Sequence, residues 1–129
     1  MKHFLFIIAL FAGINVANAQ SALLPSPDTL TNAATRDLTL KVPGAFNEVQ
    51  TFQLNVVKIS GTVAGTAFVQ GSLDGVNYFT LPGTDTLTLT NGNNAKAWVA
   101  GKSNYLFYRI RTVGVGTQSA QLKAWVLNR

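Results

Sequence analysis

The chain runs to 129 residues, with ten Lys and Arg against five Asp and Glu, no cysteine and a single histidine, His3. No two basic residues are adjacent, which excludes the clustered positive charge of a nucleic-acid-binding protein, and no nucleic-acid partner is expected. The lack of cysteine excludes thiol nucleophiles, thiolate metal sites and disulfides.

Residues 1–20 read MKHFLFIIALFAGINVANAQ. Lys2 and His3 open the segment, residues 4–12 are apolar, and Ala17 and Ala19 place small residues just ahead of Gln20. That order predicts a secretory signal peptide over 1–19, cleaved after Ala19. The apolar run stops at Gly13, short of the roughly 18–20 residues of a membrane anchor, so no stable span is expected after cleavage. The product is expected to be exported, to the periplasm, the extracellular space or a virion surface. Taking 19 residues from 129 leaves 110, enough for one domain with a modest core. Lys2 leaves with the leader, so nine basic residues face five acids, a net charge of +4. His3 leaves too, which excludes a Ser-His-Asp triad and a His-bound zinc.

Residues 20–36 (QSALLPSPDTLTNAATR) carry Pro25 and Pro27 and show no periodicity, which reads as a flexible or extended arm. The domain proper is predicted over 37–129. Leu38 and Leu40 alternate with Thr39 and Lys41 before Pro43-Gly44 breaks the strand. Phe52, Leu54 and Val56 alternate with polar neighbours, and then Val57 and Ile59 shift the apolar phase, which predicts a β-bulge or a strand buried on both faces. Two strands, over 66–73 and 76–81, flank Asp74-Gly75, where glycine suits the positive φ of a hairpin turn. Leu87 and Leu89 alternate with threonines, Asn91-Gly92-Asn93-Asn94 turns the chain, and residues 95–100 carry Trp98. Over 104–113 Leu106, Tyr108 and Ile110 share one face, and over 118–127 Ala120, Leu122, Ala124 and Val126 do the same. About eight strands with turn signals between them predict an all-β, two-layer antiparallel sandwich, immunoglobulin-like or jelly-roll.

The chemistry-bearing residues do not assemble into a catalytic pattern. Asp28, Asp37, Glu48, Asp74 and Asp85 lie in arm, strand and turn positions with no pairing suited to glycoside hydrolysis; nothing resembles an EF-hand loop, and the Asp85 loop or the Asn91–Asn94 turn offers at most a weak calcium site. The Gly61/Gly65 and Gly114/Gly116 spacings precede no helix and read as turns rather than phosphate cradles. Ser60 with Lys58, and Ser103 with Lys102, lack any marked oxyanion hole. No catalytic residue, metal site or cofactor is assigned, and the chain is not expected to be an enzyme. One surface constellation remains. If the last two strands form a hairpin across Gly114 and Gly116, the face away from the core carries Phe107, Arg109, Arg111, Lys123 and Trp125. Aromatic rings beside guanidinium groups suit a protein partner or an acidic glycan. The alternative is that Trp125 packs on the stems of Arg111 or Lys123 as an ordinary cross-strand pair.

The stretch SGTVAGTAFVQGSLDGVNYFTL at 60–81, with YRIRTVGVGTQ at 108–118 and LKAW at 122–125, resembles a pattern in small β-sandwich proteins of tailed phages. The resemblance covers about residues 48–127 and lies in turn and strand residues. It implies a virion surface component such as a decoration, fibre or tail module, self-associating through sheet faces or edges, and it carries no catalytic residues. The leader keeps a second reading open: a secreted binding module that attaches to a cell-surface glycan or protein.

Overall fold

Alternating burial along long strands, with glycine- and asparagine-rich connections between them, builds two facing antiparallel sheets. The computed structural model describes residues 21–23, 28–41 and 48–128; the leader expected at 1–19 and the turn at Pro43-Gly44 lie outside the described residues. Ten strands are present among those described: β1 Ser21–Leu23, β2 Asp28–Thr31, β3 Thr35–Lys41, β4 Glu48–Ser60, β5 Gly65–Ser72, β6 Phe79–Thr80, β7 Leu87–Leu89, β8 Asn94–Ser103, β9 Phe107–Gly114 and β10 Ser119–Asn128. One sheet has the order β1-β10-β4-β8, with β2 also paired to β10; the other has β3-β9-β5-β6, with β7 also paired to β5. Every connection from β2 to β10 crosses between the sheets except those joining β5, β6 and β7. Of the two topologies the sequence left open, this strand order is the jelly roll.

The eight strands read from the sequence correspond to β3 through β10, and β1 and β2 are additional. Strand β2 lies inside the segment read as an arm. It pairs antiparallel with β10 from Asp28↔Leu122 to Thr31↔Ser119, and Leu30 is fully buried, so the sandwich begins ahead of Asp37. A four-residue strand with a single apolar anchor is too short to show a period, which is why the sequence did not reveal it.

The core lies between the inner faces. Phe52, Leu54 and Val56 from β4 and Ala120, Leu122, Ala124 and Val126 from β10 meet Leu38, Ala67, Val69, Tyr108 and Ile110 from the opposite sheet, all buried. Val57 and Ile59 turn outward instead, and the register against β10 steps from Ala120↔Lys58 to Ser119↔Ser60. Ile59 is thus the extra residue of a bulge, but the bulge lies beyond the Val56–Val57 step where the apolar pattern changes phase; there the strand still alternates and Val57 is an outward-facing apolar residue.

The β9–β10 connection departs from expectation. Strand β9 pairs with β3 and β5, and β10 pairs with β1, β2 and β4, so the two form an arch between sheets and not a hairpin. The backbone hydrogen bonds of the connection explain this. Gly114 N donates to Ala34 O (2.9 Å) and Val115 N to Ala64 O (3.0 Å), so the chain is held by the β2–β3 and β4–β5 connections. Gln118, only 2% exposed, completes the clasp: its Nε2 donates to Asn32 O (2.8 Å) and its Oε1 accepts from Ala64 N (3.2 Å). The backbones approach so closely here that a Cβ on Gly116 would lie 2.1 Å from Thr62 O, which only glycine avoids.

Gln118→Leu removes both amide bonds and is expected to destabilise the domain by about 1–3 kcal/mol, because two partly buried backbone groups lose their partners. Thr112→Val should do the opposite. Thr112 Oγ1 is the one buried side-chain polar atom without a partner among the described residues, and its removal is expected to add about 1 kcal/mol. Denaturant melts of the two variants check both signs; a neutral Gln118→Leu would show that the clasp contributes nothing.

Candidate functional site

Strand β9 alternates strictly, so Tyr108, Ile110 and Thr112 point inward while Phe107, Arg109 and Arg111 point out of the β3–β9–β5 sheet. The register then decides what surrounds them. On β3, Asp37 stands opposite Arg111, Thr39 opposite Arg109 and Lys41 opposite Phe107. On β5, Phe68 stands opposite Arg111 and Gln70 opposite Arg109. Directly opposed residues on one face are in contact range, and these neighbours bond. Arg111 Nε donates to Asp37 Oδ1 (2.9 Å) and Arg111 Nη2 to Asp37 Oδ2 (3.2 Å), a bidentate pair. Arg109 Nη1 also donates to Asp37 Oδ2 (3.1 Å), and Arg109 Nε donates to Gln70 Oε1 (2.8 Å). Tyr78 lies over the Arg109 guanidinium, 4.0 Å from ring centroid to Cζ. Arg109 is therefore held on three sides, with 14% of its side chain exposed, while Arg111 keeps 35%. Lys41 sits 5.6 Å from the Phe107 ring, so three cations share the face with one carboxylate.

The loop that delivers Tyr78 is built around Asp74. Strands β5 and β6 pair at Gln70↔Thr80 and Gly71↔Phe79, so the hairpin expected at Asp74-Gly75 is present, but its connection extends through residues 73–78 and is not a two-residue turn. Gly75 has the expected positive φ, 75°. Asp74 Oδ1 accepts from Val76 N, Asn77 N and Ser72 Oγ, each at 2.8 Å, and Oδ2 accepts from Asn77 Nδ2 at 2.7 Å. The backbone bonds from Val76 and Asn77, with the side-chain bonds from Asn77 and Ser72, hold this carboxyl well below the usual aspartate range.

Lys123 and Trp125 are elsewhere. They lie on the outer face of the other sheet, where Lys123 is opposite Asn55 and Trp125 opposite Gln53. The sandwich, with sheets about 10 Å apart, separates them from Arg109 and Arg111. The five residues read as one site therefore divide into three and two, because the arch between β9 and β10 replaces the hairpin that would have aligned them. Neither Arg111 nor Lys123 provides a cross-strand partner for Trp125. The residues that complete the arginine site are Asp37, Phe68, Gln70 and Tyr78, which sequence reasoning missed. Only the opposite charge of Asp37 hinted at pairing, and the register that pairs it cannot be read from one strand at a time.

Several of the other groups weighed for chemistry are engaged. Lys58 Nζ donates to Asn91 Oδ1 (2.8 Å), and Ser103 turns inward to Tyr108 and Gln50 while Lys102 is exposed. Asp85 pairs with Lys96, whose hydrogen bond holds the carboxyl below its ordinary value. Among the described residues no group of three or more His, Cys, Asp or Glu side chains could hold a metal ion. Nor is any helix among them long and apolar enough to cross a membrane.

No family model and no curated protein matches the sequence. Solved structures similar to this chain include one described as "CBM4 structure and function", with TM-score 0.48 and 11% identity over 84% of this chain and 94% of that one. Another is a "Family 16 Carbohydrate Binding Module-2", with TM-score 0.44 and 11% identity over 84% of this chain and 83% of that one. Both are likenesses of fold alone.

The Asp74 loop makes a signed prediction. A carboxyl whose folded pKa lies below its unfolded value contributes stability above the unfolded pKa and loses it as pH falls through the folded one, here below about pH 4. Wild type should therefore melt above Asp74→Ala at neutral pH, with the gap closing on acidification. Asp74→Asn should also lose stability, since its amide would turn one acceptor into a donor facing Asn77 Nδ2. Gly75→Val should cost about 1–2 kcal/mol through left-handed strain. Melts of all three against pH check these effects, and a gap that widens in acid would contradict the assignment.

Proposed function

We propose that this chain is an exported, non-catalytic binding module that attaches to an acidic glycan through the outer face of β3, β9 and β5. One observation carries the reading. Arg109 and Arg111 are fixed by a shared carboxylate, an opposing amide and a stacked tyrosine before any ligand arrives. Side chains ordered in advance lose little conformational entropy on binding, which is how a shallow face gains affinity. Phe68, Tyr78 and Phe107 offer ring surface to the apolar faces of sugar rings, and the cationic surplus of the face favours carboxylated or sulfated chains over neutral ones.

Isothermal titration with acidic and neutral polysaccharides tests this. Tyr78→Ala and Arg111→Ala should each weaken binding of the acidic chain by about tenfold or more, equivalent to about 1.4 kcal/mol. Binding should also fall as salt rises. Failure of the acidic chain to bind, or its loss in Trp125→Ala with Tyr78→Ala silent, would sink the reading.

A second reading, a surface component of a phage particle, is favoured by a different observation. Among the described residues, the outer face of β10, β4 and β8 carries Val57, Ile59, Val99, Trp125 and Leu127 with few cations, Lys123 in its middle and Lys102 at the end of β8, and Ile59 and Val99 are 62% and 64% exposed. So weakly charged a face can meet a second copy of itself with little repulsion. The sequence pattern over 48–127 supports the same assignment. Sedimentation of wild type against Val99→Asp tests it: a wild type that is monomeric at every concentration removes this reading and leaves the glycan reading standing.

A further inference from the structure

The end of the sandwich opposite the Gln118 clasp is open. A cleft of about 420 Å³ lies there, lined by Leu73, Leu81, Pro82 and Tyr105 and by β8 from Ala100 into Asn104. That volume is at the small end of the roughly 300–1,000 Å³ typical of small-molecule sites, and the walls join apolar side chains to a few polar groups as such sites do.

A bulge in β8 and the close seat of Tyr105 on Gly71 shape it. Glu48 pairs with Ser103 and Gln50 with Ala100, so β8 carries an extra residue in a bulge at Gly101 and Lys102. Trp98 and Ala100 point inward, and unbroken alternation would send Lys102 after them. The bulge reverses the phase: Lys102 is exposed at the rim and Ser103 is turned inward. Bulges of this kind often re-aim side chains beside binding sites. Ser103 Oγ donates to Gln50 Oε1 (3.2 Å) and so takes its 2.7 Å contact with Tyr108 Oη as acceptor. Burial pushes the Tyr108 hydroxyl above its ordinary pKa, which keeps it protonated and able to donate. A hydroxyl has one proton and two lone pairs, so one lone pair of Ser103 Oγ remains for a ligand. Finally, Tyr105 lies against Gly71, where a Cβ would stand 2.5 Å from the Tyr105 Cδ2 and 2.8 Å from Leu81 Cδ2. Gly71 has an ordinary φ, so its role here is room for that ring and not backbone freedom.

We propose that this cleft is a second binding site, separate from the arginine face, for a single acidic sugar ring such as a uronic acid. A pyranose ring has an apolar face to lie on Tyr105, Leu81 and Pro82, and hydroxyls at its edge for Ser103 and Asn104. A ring carboxylate would meet the Lys102 ammonium at the rim. The cleft has room for a ring or two, whereas the open sheet face can follow a longer stretch of chain.

Glucuronate and glucose serve as probes on the full exported chain, read by saturation-transfer NMR and titration. Glucuronate should bind and glucose should bind more weakly. Lys102→Ala should weaken glucuronate by about tenfold with its melting point unchanged, because Lys102 is exposed. Gly71→Ala should weaken both sugars by displacing the Tyr105 ring. Absence of glucuronate binding, or binding indifferent to Lys102→Ala, overturns the proposal. If Tyr78→Ala removes glucuronate binding and Lys102→Ala does not, the sugar sits on the sheet face and the cleft proposal fails. Loss of polysaccharide binding by the face, with glucuronate still held in a Lys102-dependent way, would instead sink the face reading and leave this one intact.

Discussion

The buried amide of Gln118 adds side-chain bonds to three connections that the backbone of Gly114 and Val115 also joins. Through Asn32 O and Ala64 N it ties the β9–β10 arch to the β2–β3 and β4–β5 arches, and the Gln118 carbonyl accepts from Asn32 N in return. A chain that changes sheet must bend away from hairpin hydrogen bonding, and its freed backbone groups need other partners. Gln118 and its neighbours provide them. Once β9 and β10 are assigned to opposite sheets, the rest follows: Arg109 and Arg111 face one side of the molecule, Trp125 and Lys123 the other, and the far end of β9 opens onto the cleft.

The energetics of the arginine face indicate what Asp37 does there. Exposed ion pairs contribute only about 0–1 kcal/mol each to stability, so the Asp37 bonds are a minor part of what holds the sandwich together. Their larger effect is geometric. One carboxylate bridges two guanidinium groups, Gln70 holds the nearer one from the opposite strand, and Tyr78 covers it. Stability comes from the inner faces, where Leu54, Leu122, Ile110 and Tyr108 are buried, and this leaves both outer faces free to carry other roles.

Much of the sandwich was legible because alternation is a local property. The strands from β3 onward, the inward set on β10 and the positive φ at Gly75 all follow from residues within a few positions of one another. Strand neighbours are a global property, and there the reading failed. The run VGVGTQS between β9 and β10 suits a hairpin loop as well as an arch, since its glycines permit both. The distinguishing residue was Gln118, a polar side chain immediately before an inward-facing apolar series. Its burial makes sense only with Asn32 and Ala64 beside it, and they are distant in sequence. The same limit hid Asp37, Gln70 and Tyr78, which reach the arginines from three other segments, and hid the β8 bulge, whose extra residue shows only against β4.

In the proposed function, ligand meets the β3–β9–β5 face and not the β10–β4–β8 face. Chemical-shift mapping on isotopically labelled protein, titrated with an acidic oligosaccharide too long for the end cleft, tests it most directly. Progressive shifts are expected at the Thr39, Phe68, Gln70, Arg109 and Arg111 amides, with those of Gln53, Asn55, Lys123 and Trp125 unmoved. Shifts confined to the latter four would place the ligand on the opposite sheet and contradict it.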